Sequence, residues 1–214
     1  FWFGIKKENV MKLTEDQIDA LGEIFNIGVG KGANTLNQML GCQIKIRVPH
    51  IQSLSLKELE EQAQEFGPKE VATVNLRFKG SLTGNAMLAF PPQSAQNLVA
   101  ALTGEEPGSP ELDSVTVDTL SEMGNIIINA VMGSITNFFN QRLDYSVPHY
   151  AEDAIHNLVA SFVSDPNYSI IMAKAHFSIE NLEVDGEIGL IFGMGSLEVL
   201  LQAIETFKNN LESD

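Results

Sequence analysis

The chain has 214 residues and a mass of 23.4 kDa, enough for one sizeable domain or two small ones with a buried core. Hydrophobic residues make up 44% and charged residues 19%, which excludes a disordered tail and a long coiled coil. The 28 acidic residues outnumber the 13 basic ones, giving a formal net charge of −15. Phosphate backbones and anionic lipids repel such a chain, so we expect neither nucleic acid binding nor membrane insertion.

Cysteine usage and apolar run length favour a cytoplasmic protein. The single cysteine, Cys42, can form neither an internal disulfide nor a cysteine-rich zinc site. The longest apolar runs, such as residues 126–128, fall far short of the roughly 20 residues of a spanning helix. The first five residues are too short for the core of a signal peptide. A natural start at Met11 would make residues 1–10 an N-terminal extension or an expression remnant, so they are left out of the fold prediction.

The first predicted repeat begins with a long helix. Thr14 and Gln17 form a capping box, and apolar residues recur at helical spacing up to Leu40. A strand at 43–49, ending at the proline, follows it. Ser55 and Glu58 cap a short second helix that ends at Gly67 and Pro68. Strands at 71–78 and 85–90 then form a hairpin, and a helix at 93–102 closes the repeat.

The second predicted repeat follows a turn-rich linker at 103–110. A cap at Asp113 starts its long helix, and a strand at 143–148 follows. Strands at 170–177 and 187–192 form the second hairpin, and a helix at 196–207 ends the repeat.

The two halves are related by a shift of 99 residues, which indicates an internal duplication. Identical residues under this shift are Leu13/Leu112, Asp19/Asp118, Leu21/Leu120, Glu23/Glu122, Asn26/Asn125, Ile27/Ile126, Val48/Val147, Pro49/Pro148 and His50/His149. A further insertion of three residues, expected in the hairpin loop, aligns Gly84 with Gly186 and Phe90 with Phe192. We predict a single α/β (α+β) domain over 11–208 made of repeats 13–102 and 112–207, with a polar tail at 209–214. One shared sheet should carry the two long helices on one face, related by a pseudo-twofold axis.

A polar triplet repeats within this duplication. Asp19, Glu23 and Asn26 stand at i, i+4 and i+7, so they share one helix face, and Asp118, Glu122 and Asn125 repeat the arrangement. A solvated polar stripe is the simplest interpretation of one such triplet, but it does not explain an asparagine kept at the same place twice. An acid beside a carboxamide is suited to hold a water molecule and a partner's cation.

In both triplets 22 residues separate the asparagine from a following proline, and the complete element resembles the signature of the CheC/CheX/FliY phosphatases of chemotaxis. The elements are Asp19-x3-Glu23-x2-Asn26-x22-Pro49 and Asp118-x3-Glu122-x2-Asn125-x22-Pro148. The resemblance implies hydrolysis of the aspartyl phosphate on the response regulator CheY. It implies that Asn26 and Asn125 orient the attacking water and that Glu23 and Glu122 pair with a lysine of the regulator. Asp19, Asp118, Pro49 and Pro148 are then supporting residues.

The resemblance also bears on cofactors and partners. It implies no cofactor of the chain's own, because the regulator supplies Mg²⁺ and an acyl phosphate is already activated. Two intact elements are typical of the CheC branch, since CheX-type members keep one and FliY-type members carry a further flagellar-switch domain. The receptor deamidase CheD is a second implied partner, with Tyr150–Phe162 (including Glu152, Asp153 and His156) as the candidate surface. Two alternatives remain: a non-catalytic adaptor that binds CheD or the flagellar switch, and a stand-alone small-molecule phosphohydrolase, disfavoured because no metal site or nucleophile is evident.

Three further patterns have structural interpretations. The run from Gly28 to Gly32 lacks the Ser or Thr of a phosphate-binding loop, and it either permits close packing of the long helices or loosens the first. His50 and His149 follow the repeated prolines, which favours a hydrogen bond or a strand end over a metal ligand. Cys42 is expected to pack. We predict no metal site.

Overall fold

Four long helices and seven strands form the described part of the chain. The computed structural model describes residues 13–41, 43–55, 57–58, 61, 70–104, 110–139, 142–154, 157–158, 161, 168–179, 182–193 and 195–211. The elements are α1 (Glu15–Leu40), β1 (Ile44–Leu54), β2 (Glu70–Gly80), β3 (Gly84–Phe90), α2 (Pro92–Thr103), α3 (Pro110–Phe139), β4 (Leu143–Tyr145), β5 (His149–Ala154), β6 (Ser169–Ile179), β7 (Leu182–Phe192) and α4 (Ser196–Leu211). The expected extension at 1–10, Cys42 and the predicted helix end at Gly67 and Pro68 lie outside these residues.

All seven strands belong to one antiparallel sheet, in which the two repeats are interleaved. The strand order is β1-β6-β7-β3-β2-β4, and β5 also pairs with β2. The first strand of each repeat therefore pairs with a strand of the other repeat, since β1 lies beside β6 and β5 lies beside β2. The hairpins meet at the centre, where β3 pairs with β7. Neither repeat could complete its part of the sheet alone.

The predicted duplication is visible in the element bounds and in the core. Strand β2 and strand β6 have the same bounds after a shift of 99 residues, and β1 corresponds to the segment that contains β4 and β5. Two edge-to-face aromatic pairs repeat across the sheet: Phe78 with Phe192, at 5.8 Å between ring centroids, and Phe90 with Phe177, at 5.0 Å. Equivalent residues of the two repeats thus build equivalent contacts.

The long helices α1 and α3 pack on each other and share one hydrophobic core with the sheet. Helix α1 also lies against β1, and α3 lies against β2 and β3. A shared sheet with two pseudosymmetric helices on one face was predicted, and it is confirmed.

Glycines on α1 allow the two helices to approach closely where they cross. A Cβ added to Gly28 would lie 2.5 Å from Cα of Val131, and one added to Gly32 would lie 3.3 Å from Cα of Ile127. Under the 99-residue shift, Gly28 corresponds to Ile127 and Gly32 to Val131, so each close contact joins a glycine of one repeat to a β-branched residue of the other. Of the two roles considered for these glycines, close packing is the one observed.

Several predicted element bounds were wrong. Strand β1 does not end at Pro49 but continues to Leu54, because its pairing with β6 shifts register between Arg47 and His50 and so bypasses the proline. The three-residue insertion lengthens β7 instead of the hairpin loop, as pairing with β6 continues to Ile179 and Leu182. Helix α3 begins at Pro110 instead of after Asp113. Helix α4 extends to Leu211, since no glycine or proline interrupts it after residue 207.

Both predicted capping boxes of the first repeat are present. The backbone N–H of Gln17 donates to Oγ1 of Thr14 at 3.3 Å, and the backbone N–H of Thr14 donates to Oε1 of Gln17 at 3.0 Å. Ser55 and Glu58 exchange the equivalent bonds at 3.0 and 2.8 Å. The first box fixes where α1 begins, and therefore where its polar face lies relative to β1.

Burial raises the pKa of Glu187 on β7 above its ordinary value of 4.5, although the nearby Lys174 ammonium opposes the rise. The fold thus disfavours the ionised carboxylate, which lowers stability at neutral pH but not at a pH where the carboxyl is protonated in both folded and unfolded chains. We expect Glu187→Gln to raise the free energy of unfolding at pH 7, with the gain disappearing as the pH falls below about 4. Urea unfolding at the two pH values measures this, and an equal gain at both would contradict the explanation.

Candidate active site

The residues of the first signature element meet at one surface depression between α1 and β1. This depression has a volume of about 370 Å³. Its lining includes every residue of that element, together with the histidine after the proline: Asp19, Glu23, Asn26, Pro49 and His50. Helical spacing aligns the first three on α1, and β1, which packs against α1, places the last two alongside them. Residues 30 positions apart in sequence thus form one site.

Asn26 is held by three hydrogen bonds to the backbone. Its Nδ2 donates to the carbonyl oxygen of Gly22 at 2.8 Å and to that of Val48 at 3.1 Å. The backbone N–H of Val48 donates to Oδ1 of Asn26 at 2.9 Å. The carboxamide thus pairs with the peptide groups of Val48 while the residue as a whole remains exposed.

The carboxylates of the first site are available to a partner. Asp19 and Glu23 are both exposed, and within the described residues neither side chain makes a hydrogen bond or an ion pair. Glu23 lies one helical turn from Asn26 and lines the same depression. A cationic side chain entering the depression would therefore meet an acid and a fixed carboxamide together.

The second element has a different geometry. Glu122 and Asp118 are exposed on α3, and Asn125 is half-buried. Oδ1 of Asn125 accepts a hydrogen bond from Nδ2 of Asn129 at 2.7 Å. Val147, the counterpart of Val48, is 84% exposed, whereas Val48 is 5% exposed. Two sequence elements that match at every signature position thus have unequal surroundings.

The segment before Pro148 explains this inequality. Residues 146–148 separate β4 from β5, whereas the corresponding part of the first repeat lies within β1. Oγ of Ser146 donates to the carbonyl oxygen of Val147 at 3.1 Å. In the first repeat, the equivalent carbonyl oxygen, that of Val48, accepts from Asn26 instead. His149 begins β5 opposite Asn75.

Sequence reasoning missed Asn37, which binds β1 as Asn26 does. The backbone N–H of Ile44 donates to Oδ1 of Asn37 at 2.6 Å, and Nδ2 of Asn37 donates to the carbonyl oxygen of Ile44 at 3.2 Å. Asn26 and Asn37 are 11 residues apart, about three helical turns, so they share a face of α1. A second mid-helix asparagine in phase with the first was the available signal. Its counterpart in the second repeat is Thr136, whose hydroxyl donates to the carbonyl oxygen of Gly133 at 3.2 Å.

Comparison with known proteins gives the family. The profile of "Chemotaxis phosphatase CheX" matches residues 72–163, and that of the "CheC-like family" matches residues 17–52. The CheY-P phosphatase CheC of Bacillus subtilis is 31% identical over 149 residues, which cover 66% of this chain and 68% of that protein. This chain belongs to the CheC/CheX/FliY family of chemotaxis phosphatases. The flagellar motor switch phosphatase FliY of the same organism is 24% identical over 64% of this chain and 35% of that protein.

Several solved structures share the fold of this chain. The crystal structure of Thermotoga maritima FliY has a TM-score of 0.71 at 19% identity, covering 92% of this chain and 99% of that one. The CheX in a CheX–CheY–BeF3–Mg²⁺ complex from Borrelia burgdorferi has a TM-score of 0.50 at 18% identity, covering 79% and 96% of the two chains. The FliM middle domain of H. pylori reaches 0.63 at 12% identity, covering 89% and 99%. At these identities the likeness concerns the fold alone.

Two further predictions from the sequence, a CheD surface and the absence of membrane insertion, concern parts of the molecule outside the depression. The candidate CheD segment begins on β5, where the Tyr150 hydroxyl donates to the Glu152 carboxylate, while His156 and Phe162 lie outside the described residues. Asp153 accepts from Nδ2 of Asn157 at 2.8 Å. These contacts lie within this chain, and the CheD surface stays a prediction. Among the helices that are described, none is long and apolar enough to cross a membrane.

Proposed function

We propose that this chain hydrolyses the aspartyl phosphate of the response regulator CheY. The observation that carries the proposal is that Glu23 and Asn26 line one depression, where a carboxylate with no partner among the described residues lies beside an oriented carboxamide. Membership in a chemotaxis phosphatase family supports it, because the B. subtilis relative is a CheY-P phosphatase.

Each proposed catalytic residue has a simple task. The carboxamide of Asn26 or Asn125 faces the regulator's active site and orients a water molecule for attack on phosphorus. The carboxylate of Glu23 or Glu122 pairs with a lysine of the regulator, which holds the two proteins in register. Positioning of the water suffices because the acyl phosphate is already activated, and Mg²⁺ bound to the regulator supplies the charge stabilisation. Asp19 and Asp118 support the negative potential that attracts the lysine.

The second candidate function is a non-catalytic adaptor that binds CheD or the flagellar switch. One observation favours it: the hydrogen bonds between Asn26 and Val48 give this asparagine a structural role that an adaptor would also need. It leaves Glu23 and Glu122 unexplained, since both are exposed and neither supports the fold through a hydrogen bond or ion pair within the described residues.

The lifetime of phosphorylated CheY distinguishes the two functions. With Mg²⁺ present, an amount of this chain far below that of the regulator should accelerate phosphate release, and each molecule should act many times. An adaptor would bind phosphorylated CheY or CheD without shortening that lifetime. An unchanged lifetime at equimolar protein would reject the phosphatase proposal.

A further inference from the structure

The two signature asparagines differ in what is left of their hydrogen-bonding capacity. A carboxamide has two N–H donors and an oxygen that can accept two hydrogen bonds. Asn26 uses both donors, on the carbonyls of Gly22 and Val48, and one acceptor position, for the N–H of Val48. The one position left is a lone pair on Oδ1. Such an acceptor can accept a hydrogen bond from a water molecule and so direct the water's own lone pair outward.

The peptide groups of Val48 are available because β1 lies at the edge of the sheet. Strand β1 is an edge strand, and its pairing with β6 skips Val48 and Pro49 between Arg47 and His50. Pro49 has no N–H and cannot continue a regular ladder. The carboxamide of Asn26 takes the place of a missing neighbouring strand at Val48, and Asn37 does so at Ile44. Helix α1 and β1 are thereby fixed to each other at two places, by Asn26 and Val48 at the depression and by Asn37 and Ile44 nearer the turn that joins them.

The second site has no such arrangement. Among the described residues, the Asn125 side chain has one hydrogen-bond partner, Asn129 on its own helix, and both N–H donors of its carboxamide lack an acceptor there. Val147 lies between β4 and β5 with its side chain in solvent, and its carbonyl oxygen accepts from Ser146. The orientation of the Asn125 carboxamide is therefore set by one bond to another exposed side chain, not by the backbone of a strand.

We propose that the peptide groups of Val48 are the positioning element of the first site, which is ready-made in the free protein, whereas the second site is ordered only when the regulator docks. The proposal rests on the proposed phosphatase function and adds that the two sites contribute unequally. An orienting group held in place before the reaction loses no freedom when the substrate arrives, so the first site should be the faster one.

The first test uses the free protein and is independent of hydrolysis. Side-chain amide ¹⁵N relaxation should give Asn26 an order parameter near that of rigid backbone, about 0.85, whereas that of Asn125 should be below about 0.6. Asn37 is the internal reference, because it makes the same pair of bonds to a strand and should be as rigid as Asn26. Equal mobility of Asn26 and Asn125 would overturn the proposal.

The second test removes the N–H of Val48. In a chain whose second site carries Glu122→Ala and Asn125→Ala, Val48→Pro should lower kcat about tenfold and leave KM unchanged, because docking through Glu23 is retained. Val48→Ala is the matched control for lost side-chain packing: it keeps the N–H, so its loss of kcat should be several-fold smaller than that of Val48→Pro. Val147→Pro, in a chain with Glu23→Ala and Asn26→Ala, should likewise have little effect, since that N–H does not bind Asn125.

The outcomes separate this proposal from the phosphatase function. Equal kcat values for Val48→Pro and Val48→Ala would overturn the positioning role. If Val48→Pro does not fold, the relaxation measurement on the unaltered chain still decides. A rigid Asn26 in a chain that hydrolyses nothing would reject the phosphatase function while leaving the role of Val48 in place. Hydrolysis by a chain with a mobile Asn26 would reject only the positioning role.

Discussion

Alanine at both Glu23 and Asn26 should lower the rate of CheY dephosphorylation about fivefold or more. Alanine at both Glu122 and Asn125 should lower that rate by less, because the second site contributes the smaller part of it. A fivefold difference in rate corresponds to about 1 kcal/mol of activation free energy, the contribution of one ordinary hydrogen bond. Asn26 has that advantage because Val48 fixes it before docking. The measurement compares kcat and KM of the two double variants with those of the unaltered chain.

Asn37→Ala is the control for loss of structure in this experiment. It removes the same kind of bonds between α1 and β1 at a residue outside the depression, so it should lower stability but leave kcat nearly unchanged. Equal losses in the two double variants would show two equivalent sites. A larger loss for Glu122→Ala with Asn125→Ala would place the main activity at the second site and contradict the account.

Gly28→Ala should lower the free energy of unfolding by about 2 kcal/mol, the typical cost of overpacking a filled core. The added Cβ would lie 2.5 Å from Cα of Val131, and because the obstacle is backbone, no side-chain rotation relieves it. Helices α1 and α3 would have to separate at the crossing where the repeats meet. Urea unfolding followed by circular dichroism measures the change.

Gly30→Ala is the matched control on the same helix. Gly30 is exposed, and a Cβ there would meet no atom of the described residues within 4 Å, so this variant should gain about 0.5–1 kcal/mol from helix propensity alone. If Gly28→Ala lowers the free energy of unfolding and Gly30→Ala raises it, the cause of the loss is the close contact at the helix crossing and not the glycine content of α1. A stabilising Gly28→Ala would contradict the packing described here.

Local patterns predicted the duplication and the site residues that lie close in sequence. The 99-residue shift aligns residues whose roles depend on the repeat as a whole, such as Phe78 with Phe177, and these build equivalent aromatic pairs. Helical periodicity placed Asp19, Glu23 and Asn26 on one face because that relation depends only on the 3.6-residue turn. The helix–helix contact at Gly28 was likewise among the predictions, since small residues at this spacing have few other uses.

Relations that depend on strand pairing could not be predicted. Nothing in a single strand indicates that β1 pairs with β6 of the other repeat, because many partners satisfy the same alternation of apolar residues. The strand was expected to end at Pro49, yet one shifted pairing between Arg47 and His50 lets it continue. The edge position of β1 exposes the peptide groups of Val48 to Asn26, and neither signature element indicates that the equivalent strand is interrupted at 146–148, so the difference between the two sites was also hidden.

Phosphate release from phosphorylated CheY by a chain with all four substitutions, Glu23→Ala, Asn26→Ala, Glu122→Ala and Asn125→Ala, tests the central claim most directly. Circular dichroism and urea unfolding serve as folding controls, with Asn37→Ala as the reference for a lost α1–β1 bond. The account predicts that the unaltered chain accelerates release catalytically and that the folded fourfold variant leaves the regulator at its own slow rate. Full acceleration by a folded fourfold variant would contradict it and place the chemistry elsewhere on the molecule.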